Sequence, residues 1–347
     1  MELYNSKNNN FWNNHTLDNF QRLAILKDVH SSQITSVCCL KDGRIASSSW
    51  DKYIFIYNKN TFKIEIRIKE MKIIRYININ KDGILIVCLD GTYLNLYEIK
   101  GKKYHNIQTI RPYSLKIDII GIFDGSFTIL KYIELKNGDL AILVWAYALS
   151  FYQKKKNSKK YSFLNKFKEE RDENITDLCE LDDNQYCLSF KFKKLIKFLD
   201  WNKKEITKTI KFDDNFYSSD SKNQLLLMNK NDLFAIGAKN IIIIDTKCKE
   251  IIKNIKVDLS GYLSSIYKLS KNILIAGFWR NNIGQFEYDE NKKDIKLISN
   301  IGQKWSSSKI FAVSSITILN NNLIVTPYNN DLDNCSLIIY QLKNKYK

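Results

Sequence analysis

One pattern occurs twice near the start of the chain, as Lys41-Asp-Gly-Arg-Ile-Ala-Ser-Ser-Ser-Trp-Asp-Lys-Tyr-Ile-Phe-Ile-Tyr57 and again as Lys81-Asp-Gly-Ile-Leu-Ile-Val-Cys-Leu-Asp-Gly-Thr-Tyr-Leu-Asn-Leu-Tyr97. The two copies start 40 residues apart. Each contains a polar turn, a short apolar run, a second turn and an alternating run that ends in Tyr. Short runs of this kind, bounded by turn residues, are typical of β-strands. The repeat therefore predicts two similar β units in succession.

The polar turn that opens this pattern recurs five more times, always between strand-like runs. The further copies are Lys136-Asn-Gly, Asp182-Asp-Asn, Lys230-Asn-Asp, Ser270-Lys-Asn and Asn320-Asn-Asn. Gly, Asn and Asp suit hairpin turns because they tolerate left-handed backbone geometry. Repeats of roughly 40 to 55 residues match the period of a four-stranded propeller blade. Seven markers therefore predict an all-β chain folded as a seven-bladed β-propeller of four-stranded antiparallel blades.

The two ends of the chain are expected to share one blade. The first complete blade is predicted to contain strands at Ile34–Leu40, Arg44–Ser49, Tyr53–Asn58 and Lys63–Lys69. The last blade supplies only three, at Ile310–Leu319, Leu323–Pro327 and Ser336–Leu342. The missing strand is Phe20–Lys27, so we expect this N-terminal strand to close the propeller. Residues 17–347 form one domain in this interpretation, with a disordered Asn-rich tail at 1–16 and an insertion at about 111–126.

The first blade resembles a WD repeat. His30 stands where that family has the histidine of Gly-His, Asp51 matches the aspartate of the turn between the second and third strands, and Tyr57-Asn58 replaces Trp-Asp. Ser47 or Ser49 matches the serine of the second strand. The resemblance implies that His30, Asp51, Tyr57 and one serine form a buried hydrogen-bonded chain that locks the blade. The other blades lack the histidine, and their third strands are expected to end at Tyr97, Tyr152, Trp201, Asp245, Tyr288 and Tyr340.

Three tryptophans share one position of the repeat, in the turn between the second and third strands. This position carries Trp50, Asp90, Trp145, Lys191, Lys239, Trp279 and, one residue earlier, Tyr328. One interpretation is that the rings pack between blades or plug the central channel. The other, which we favour, is a partner-binding surface, because exposed aromatic clusters are enriched at protein interfaces. The predicted surface comprises Trp50, Trp145, Trp279, Tyr328, Trp305 and Asp90.

The loops between the fourth strand of one blade and the first strand of the next carry many acidic residues, among them Asp28 and Glu70. These loops lie at the same end of the strands as the tryptophan positions. An aromatic and acidic face suits a peptide that carries Lys or Arg, through cation–π and ion-pair contacts.

The formal net charge is +17, from 54 Lys and Arg against 37 Asp and Glu, and nearly all of the positive charge is Lys. Abundant Lys, Asn and Ile together indicate codon bias at solvated positions. The alternative is a basic patch for nucleic acid or anionic lipid. The densest group, and the candidate anionic-ligand patch, comprises Lys154, Lys155, Lys156, Lys159 and Lys160. Other turn lysines, such as Lys81 and Lys102, are expected to be solvated.

The seven cysteines and three histidines give no arrangement typical of a metal or catalytic site. No CxxC pair occurs, His15, His30 and His105 are scattered, and there is no HExxH or phosphate-binding loop. We therefore expect no metal, no cofactor and no catalytic residues. No secretory signal and no apolar run of roughly 18 residues occurs, which favours a soluble protein of the cytoplasm or nucleus.

These observations favour a non-enzymatic scaffold that binds peptide segments of other proteins on its aromatic and acidic face, as part of a multi-subunit complex. The alternative is a propeller that binds phosphoinositide or RNA through its lysines, with nucleic acid or an anionic membrane as the partner. Phosphoinositide-binding propellers carry a paired-arginine motif that this chain lacks. An enzyme ranks last.

Overall fold

The computed structural model describes thirteen stretches of the chain, which consist mainly of β-strands. The described residues are 20–91, 93–112, 129–144, 148–168, 175–182, 184–190, 193–213, 224–257, 262–278, 282–301, 316–319, 323–329 and 335–342. Within them there is no helix long and apolar enough to cross a membrane. The predicted tail at 1–16 and all but the first two residues of the predicted insertion at about 111–126 lie outside the described residues.

The strands of the described residues pair into seven four-stranded antiparallel sheets, the blades. β1 is Phe20–His30, and the first blade comprises β2 (Ile34–Cys39), β3 (Ile45–Ser49), β4 (Tyr53–Tyr57) and β5 (Ile64–Lys69). The second comprises β6 (Ile74–Ile79), β7 (Leu85–Leu89), β8 (Tyr93–Lys100) and β9 (Lys103–Ile110), and the third β10 (Ile129–Glu134), β11 (Leu140–Val144), β12 (Ala148–Lys154) and β13 (Tyr161–Lys168). The fourth comprises β14 (Ile175–Asp182), β15 (Gln185–Phe190), β16 (Leu195–Asp200) and β17 (Glu205–Lys211), and the fifth β18 (Gln224–Leu227), β19 (Asp232–Ile236), β20 (Asn240–Asp245) and β21 (Glu250–Lys256). The sixth comprises β22 (Leu263–Lys268), β23 (Ile273–Phe278), β24 (Ile283–Asp289) and β25 (Asp294–Ile301), and the seventh β26 (Thr317–Leu319), β27 (Leu323–Asn329) and β28 (Cys335–Leu342), together with β1.

The predicted fold class, a seven-bladed β-propeller of four-stranded blades, is confirmed. So is the pairing of the N-terminal strand with the last blade, whose strand order is β1-β28-β27-β26. β1 runs antiparallel to β28, from Phe20 opposite Leu342 to His30 opposite Cys335. Ala24 and Leu26 of β1 are buried, so this strand adds apolar contacts to the blade as well as hydrogen bonds.

The chain divides into two compact units, one formed by Met1–Ile79 with Leu259–Lys347 and the other by Asn80–Asp258. In the first unit, apolar cores lie between the seventh and first blades and between the sixth and seventh. In the second unit, they lie between the third and fourth blades and between the fourth and fifth. Each core is therefore built from the faces of two neighbouring sheets.

The second strand of a blade is covered on both faces, which explains its continuous apolar run. Every residue of β7 (LIVCL) and of β11 (LAILV) is buried. Fourth strands are more exposed, and in β17 only Ile210 is buried. Burial of a polar side chain requires a hydrogen-bond partner. The three buried serines of β3 meet this requirement, since each hydroxyl makes a hydrogen bond.

The turns after the first strands explain the residues of the repeat marker. The third marker residue has a left-handed backbone in four blades. The φ angles are 86° at Gly43, 81° at Gly83, 89° at Gly138 and 60° at Asn184. Gly and Asn adopt this conformation more readily than other residues do, so the marker identifies turn geometry rather than a binding function.

The turns between the third and fourth strands share a second design in four blades. At the end of β16, Asp200 Oδ1 accepts hydrogen bonds from the backbone N–H groups of Asn202 and Lys203, at 3.0 and 3.2 Å. The corresponding acceptors elsewhere are Asn58, Asp245 and Asp289. The residue four positions after the acceptor has a positive φ in each case, at Phe62, Lys204, Lys249 and Lys293.

Five of the predicted third-strand ends need correction. β16 ends at Asp200, and Trp201 lies in the following turn, where its ring packs 4.0 Å from that of Phe151. The Asp200 side chain holds the turn and so ends the strand one residue earlier than predicted. β20 ends at Asp245 as predicted, whereas β8, β12, β24 and β28 continue past Tyr97, Tyr152, Tyr288 and Tyr340.

A β-bulge interrupts the pairing of the third and fourth strands in six blades. The register shifts at Ile56/Tyr57, Leu96/Tyr97, Phe151/Tyr152, Phe198/Leu199, Ile243/Ile244 and Gln285/Phe286. In the third blade the extra residue is Leu164, since Phe163 lies opposite Tyr152 and Asn165 lies opposite Phe151. A bulge bends the strand that carries it and increases its twist.

Candidate functional site

The four residues of the WD-type lock lie in one hydrogen-bonded chain in the first blade. His30 Nδ1 is 2.8 Å from Asp51 Oδ2, and His30 Nε2 is 2.7 Å from Ser47 Oγ, which is 2.9 Å from the Tyr57 hydroxyl. A carboxylate only accepts, so His30 Nδ1 donates to Asp51, and His30 Nε2 and the Ser47 hydroxyl share the next hydrogen bond. Ser49 instead donates to Ser32 O, and Ser47 is therefore the serine of this chain.

Burial limits the chemistry that these four hydrogen-bonded residues can perform. His30, Ser47 and Tyr57 are 2%, 0% and 0% exposed, and the imidazole stacks on Phe55 with ring centroids 4.4 Å apart. A Ser–His–Asp order is also that of a nucleophilic triad, but the Ser47 hydroxyl has no exposed surface on which to meet a substrate. Burial alone would raise the pKa of Asp51, but the hydrogen bond and charge interaction with His30 hold the pKa of this carboxyl below its usual value.

The turn that carries Trp50 is fixed by hydrogen bonds on both sides. The Trp50 N–H donates to Gln33 O at 3.0 Å, and the Tyr53 N–H donates to Asp51 Oδ1 at 2.9 Å. Asp51 is itself held by His30. The indole nevertheless remains 40% exposed. Hydrogen bonds therefore hold the backbone of this turn while the ring meets solvent.

Met71 is a second exposed apolar side chain beside this turn, and the sequence analysis missed it. It lies between β5 and β6 and is 92% exposed. The Glu70 N–H donates to Lys52 O at 2.8 Å, which ties the Met71 loop to the Trp50 turn. Glu70 was predicted to contribute to an acidic face, but the residue is buried. We call Trp50 and Met71, with the two turns that carry them, the Trp50 site.

The other residues of the predicted partner-binding surface are placed as follows. Asp90 lies in the turn after β7 and is half-buried. Tyr328 lies within β27, where its backbone is opposite Ser336, and is not in a turn. Trp145, Trp279 and Trp305 lie outside the described residues. Of the predicted aromatic set, Trp50 is thus the member that the described structure shows to be exposed.

The predicted lysine patch forms the turn between β12 and β13. Two of its members are ion-paired to carboxylates of the second blade, Lys154 to Asp82 and Lys159 to Glu98. Lys155, Lys156 and Lys160 are exposed and make no ion pair within the described ranges. The patch therefore contains both structural and unpaired lysines.

Two further lysines make hydrogen bonds to the backbone of the next blade instead of being solvated. The Lys81 ammonium donates to Leu135 O at 2.8 Å and to Lys136 O at 3.1 Å. Lys136 repeats the contact one blade further on and donates to Leu181 O at 3.1 Å. Both lysines open a blade marker, so this position joins the first turn of one blade to that of the next.

Comparison of the chain with protein-family models finds no match, and comparison with curated protein sequences finds none either. Among the residues that the structure describes, no group of three or more His, Cys, Asp or Glu side chains could hold a metal ion.

Proposed function

We propose that this chain is a divergent WD-repeat propeller and a non-enzymatic scaffold, which docks peptide segments of other proteins at the Trp50 site. The observation that supports this most is an indole 40% exposed on a turn that is hydrogen-bonded on both sides. An anchor that is already ordered loses little entropy on binding. Tryptophan is also among the residues that contribute most to binding energy at interfaces.

Met71 completes an apolar contact surface in this proposal. A flexible thioether adapts to partner side chains of different shape, whereas the fixed indole provides a flat face for an aliphatic chain or a cation. The proposed partners are other proteins of a multi-subunit complex in the cytoplasm or nucleus.

A display experiment tests this proposal. A random peptide library on phage is selected against the full-length chain, and the affinities of the selected peptides are measured by calorimetry. Trp50→Ala should weaken binding by roughly thirtyfold, the effect of losing about 2 kcal/mol at an interface anchor. Met71→Ala should give a smaller loss.

Ile252→Ala is the matched control, because Ile252 is also 40% exposed but lies on β21 of the fifth blade. This variant should bind the selected peptides as the wild type does. The proposal is wrong if the selected peptides bind Trp50→Ala with wild-type affinity, or if Ile252→Ala weakens them as much as Trp50→Ala does.

A further inference from the structure

Two neighbouring hairpins of the second unit combine lysine-rich tips with exposed apolar side chains. The tip between β8 and β9 reads Lys100-Gly101-Lys102-Lys103, and the tip between β12 and β13 is the lysine patch. We call the two together the paired hairpins.

The paired hairpins are joined side by side. The Gln108 side-chain amide of β9 donates to Tyr161 O at 2.7 Å and accepts from the Tyr161 N–H at 2.8 Å. This pair of bonds imitates a strand pairing between the outer strands of two blades. At the tips, Glu98 is ion-paired to both Lys100 and Lys159. The two tips are thus held in one fixed arrangement before any ligand arrives.

These ion pairs engage Glu98 and Asp82, and even with Glu134 and Asp139, which lie near Tyr161, the lysines of the two tips outnumber the acids. Glu98 and Asp82 are committed to Lys100, Lys159 and Lys154. The lysines that remain are all exposed and make no ion pair within the described ranges, namely Lys102, Lys103, Lys155, Lys156 and Lys160. Five unpaired ammonium groups on two joined tips create a local positive field that attracts an anionic surface.

Three exposed apolar side chains lie directly behind the tips. Tyr104 is 46% exposed and Phe163 45%, and each ring stands edge-on against a buried tyrosine of the adjacent strand. Leu164, the bulge residue of β13, is 49% exposed. The bulge therefore allows two successive residues, Phe163 and Leu164, to reach solvent.

We propose that the paired hairpins are a docking surface for an anionic lipid bilayer. Lysine heads would meet the headgroups, while Tyr104, Phe163 and Leu164 would enter the boundary between headgroups and acyl chains. Single-stranded nucleic acid is the less suitable partner, because its binding sites are grooves lined by aromatic rings that stack on bases. The paired hairpins are projecting tips without Arg, and aliphatic Leu164 cannot stack on a base as an aromatic ring does.

Vesicle co-sedimentation of the full-length chain tests the proposal. The probes are phosphatidylcholine vesicles alone and vesicles with about one third phosphatidylserine. Binding should require phosphatidylserine. Replacing Lys155, Lys156 and Lys160 with Gln should lower the partition coefficient about tenfold or more. The matched control replaces Lys204, Lys208 and Lys211 of the fourth blade with Gln, which removes the same charge from a hairpin with no exposed large apolar side chain. It should lower binding by less than about threefold.

A separate variant tests how much the apolar side chains contribute to vesicle binding. Phe163→Ser with Leu164→Ser should weaken vesicle binding several-fold while leaving the urea midpoint within the range of the lysine variants. The proposal is overturned if the two triple-lysine variants lose the same fraction of vesicle binding, because net charge alone would then explain the binding. It is also overturned if the serine variant binds vesicles normally, or if poly(U) RNA or soluble inositol hexakisphosphate binds wild type and serine variant alike and displaces the vesicles.

Discussion

A chain of side-chain hydrogen bonds connects β4, β3 and the end of β1 with the turn that carries Trp50. It runs from Tyr57 through Ser47 and His30 to Asp51. A loss anywhere along it leaves a buried polar atom without its partner, and such an atom costs about 1–3 kcal/mol. The same residues thus stabilise the first blade and position the Trp50 site.

Asp51→Asn should make the stability of the protein less dependent on pH. The pKa of Asp51 is lowered in the folded protein, so its contribution is complete above the unfolded pKa of about 4 and disappears as pH falls through the folded value. The free energy of unfolding should be about 1 kcal/mol or more lower in Asp51→Asn at neutral pH. This difference should shrink below about pH 4. Urea titrations across this pH range measure it.

Tyr57→Phe is the control for that experiment. It removes the far end of the chain, where no carboxylate takes part in the lost bond, so its cost of about 1 kcal/mol should stay constant over the same pH range. A constant difference for Asp51→Asn, or a pH-dependent one for Tyr57→Phe, would contradict the assignment.

At this scale the sequence predicted some residues and missed others for physical reasons. His30, Asp51 and Tyr57 could be predicted because a hydrogen-bonded lock needs particular side chains at particular places. Met71 could not be predicted from the tryptophan positions, because it lies in the loop between β5 and β6 and is not aromatic. A large apolar residue between Glu70 and Lys72, in a polar loop, was the available signal. Whether an ammonium such as that of Lys81 meets water or a neighbouring carbonyl depends on distant geometry, which local sequence does not carry.

Individual turns show how the elements are specified. In the hairpin between β16 and β17, Asp200 holds the turn and Lys204 has a φ of 55°. A left-handed backbone at a residue with a side chain costs about 1–2 kcal/mol, and Gly avoids most of that cost. Asp and Asn at strand ends could therefore be recognised as turn residues, whereas the bulges that follow left no visible mark in the sequence.

Lys204→Gly should stabilise the protein, and Lys203→Gly should destabilise it. The two neighbours carry the same charge, but Lys203 does not have a positive φ. Gly should raise the free energy of unfolding by about 0.5 kcal/mol at position 204 and lower it by a similar amount at position 203. The urea midpoints of the two variants measure the difference, and equal midpoints would show that the backbone at Lys204 is not strained.

For the whole molecule, the count of seven blades and the shared seventh blade followed from the repeat markers, because each blade needs the same turns. The spacing could not predict which side chains of the outer strands stay exposed, since this depends on the bulges. The spacing also predicted a turn at Tyr328, whereas this residue lies inside β27.

Deleting residues 1–27 should destabilise the whole protein. The deletion removes Phe20–Lys27, with buried Ala24 and Leu26, from the seventh blade, so β28 loses its partner on one side and stays paired with β27 on the other. Lost burial and strand hydrogen bonds should lower the free energy of unfolding by at least about 3 kcal/mol. Deletion of residues 1–19 leaves β1 intact and serves as the control. Identical urea midpoints for the two truncated chains would show that β1 is dispensable.

The recurrent bulges also bear on how the protein behaves at high concentration. The fourth strand ends the sheet in each of the first six blades, so its outward N–H and C=O groups could template the strand of another molecule. The side chains of Ile251 and Ile252 would favour such stacking. An extra residue in the middle of each of these strands breaks the even row of donors and acceptors that a growing fibril would copy. We therefore expect the irregularity that lets apolar side chains reach solvent to hinder polymerisation as well.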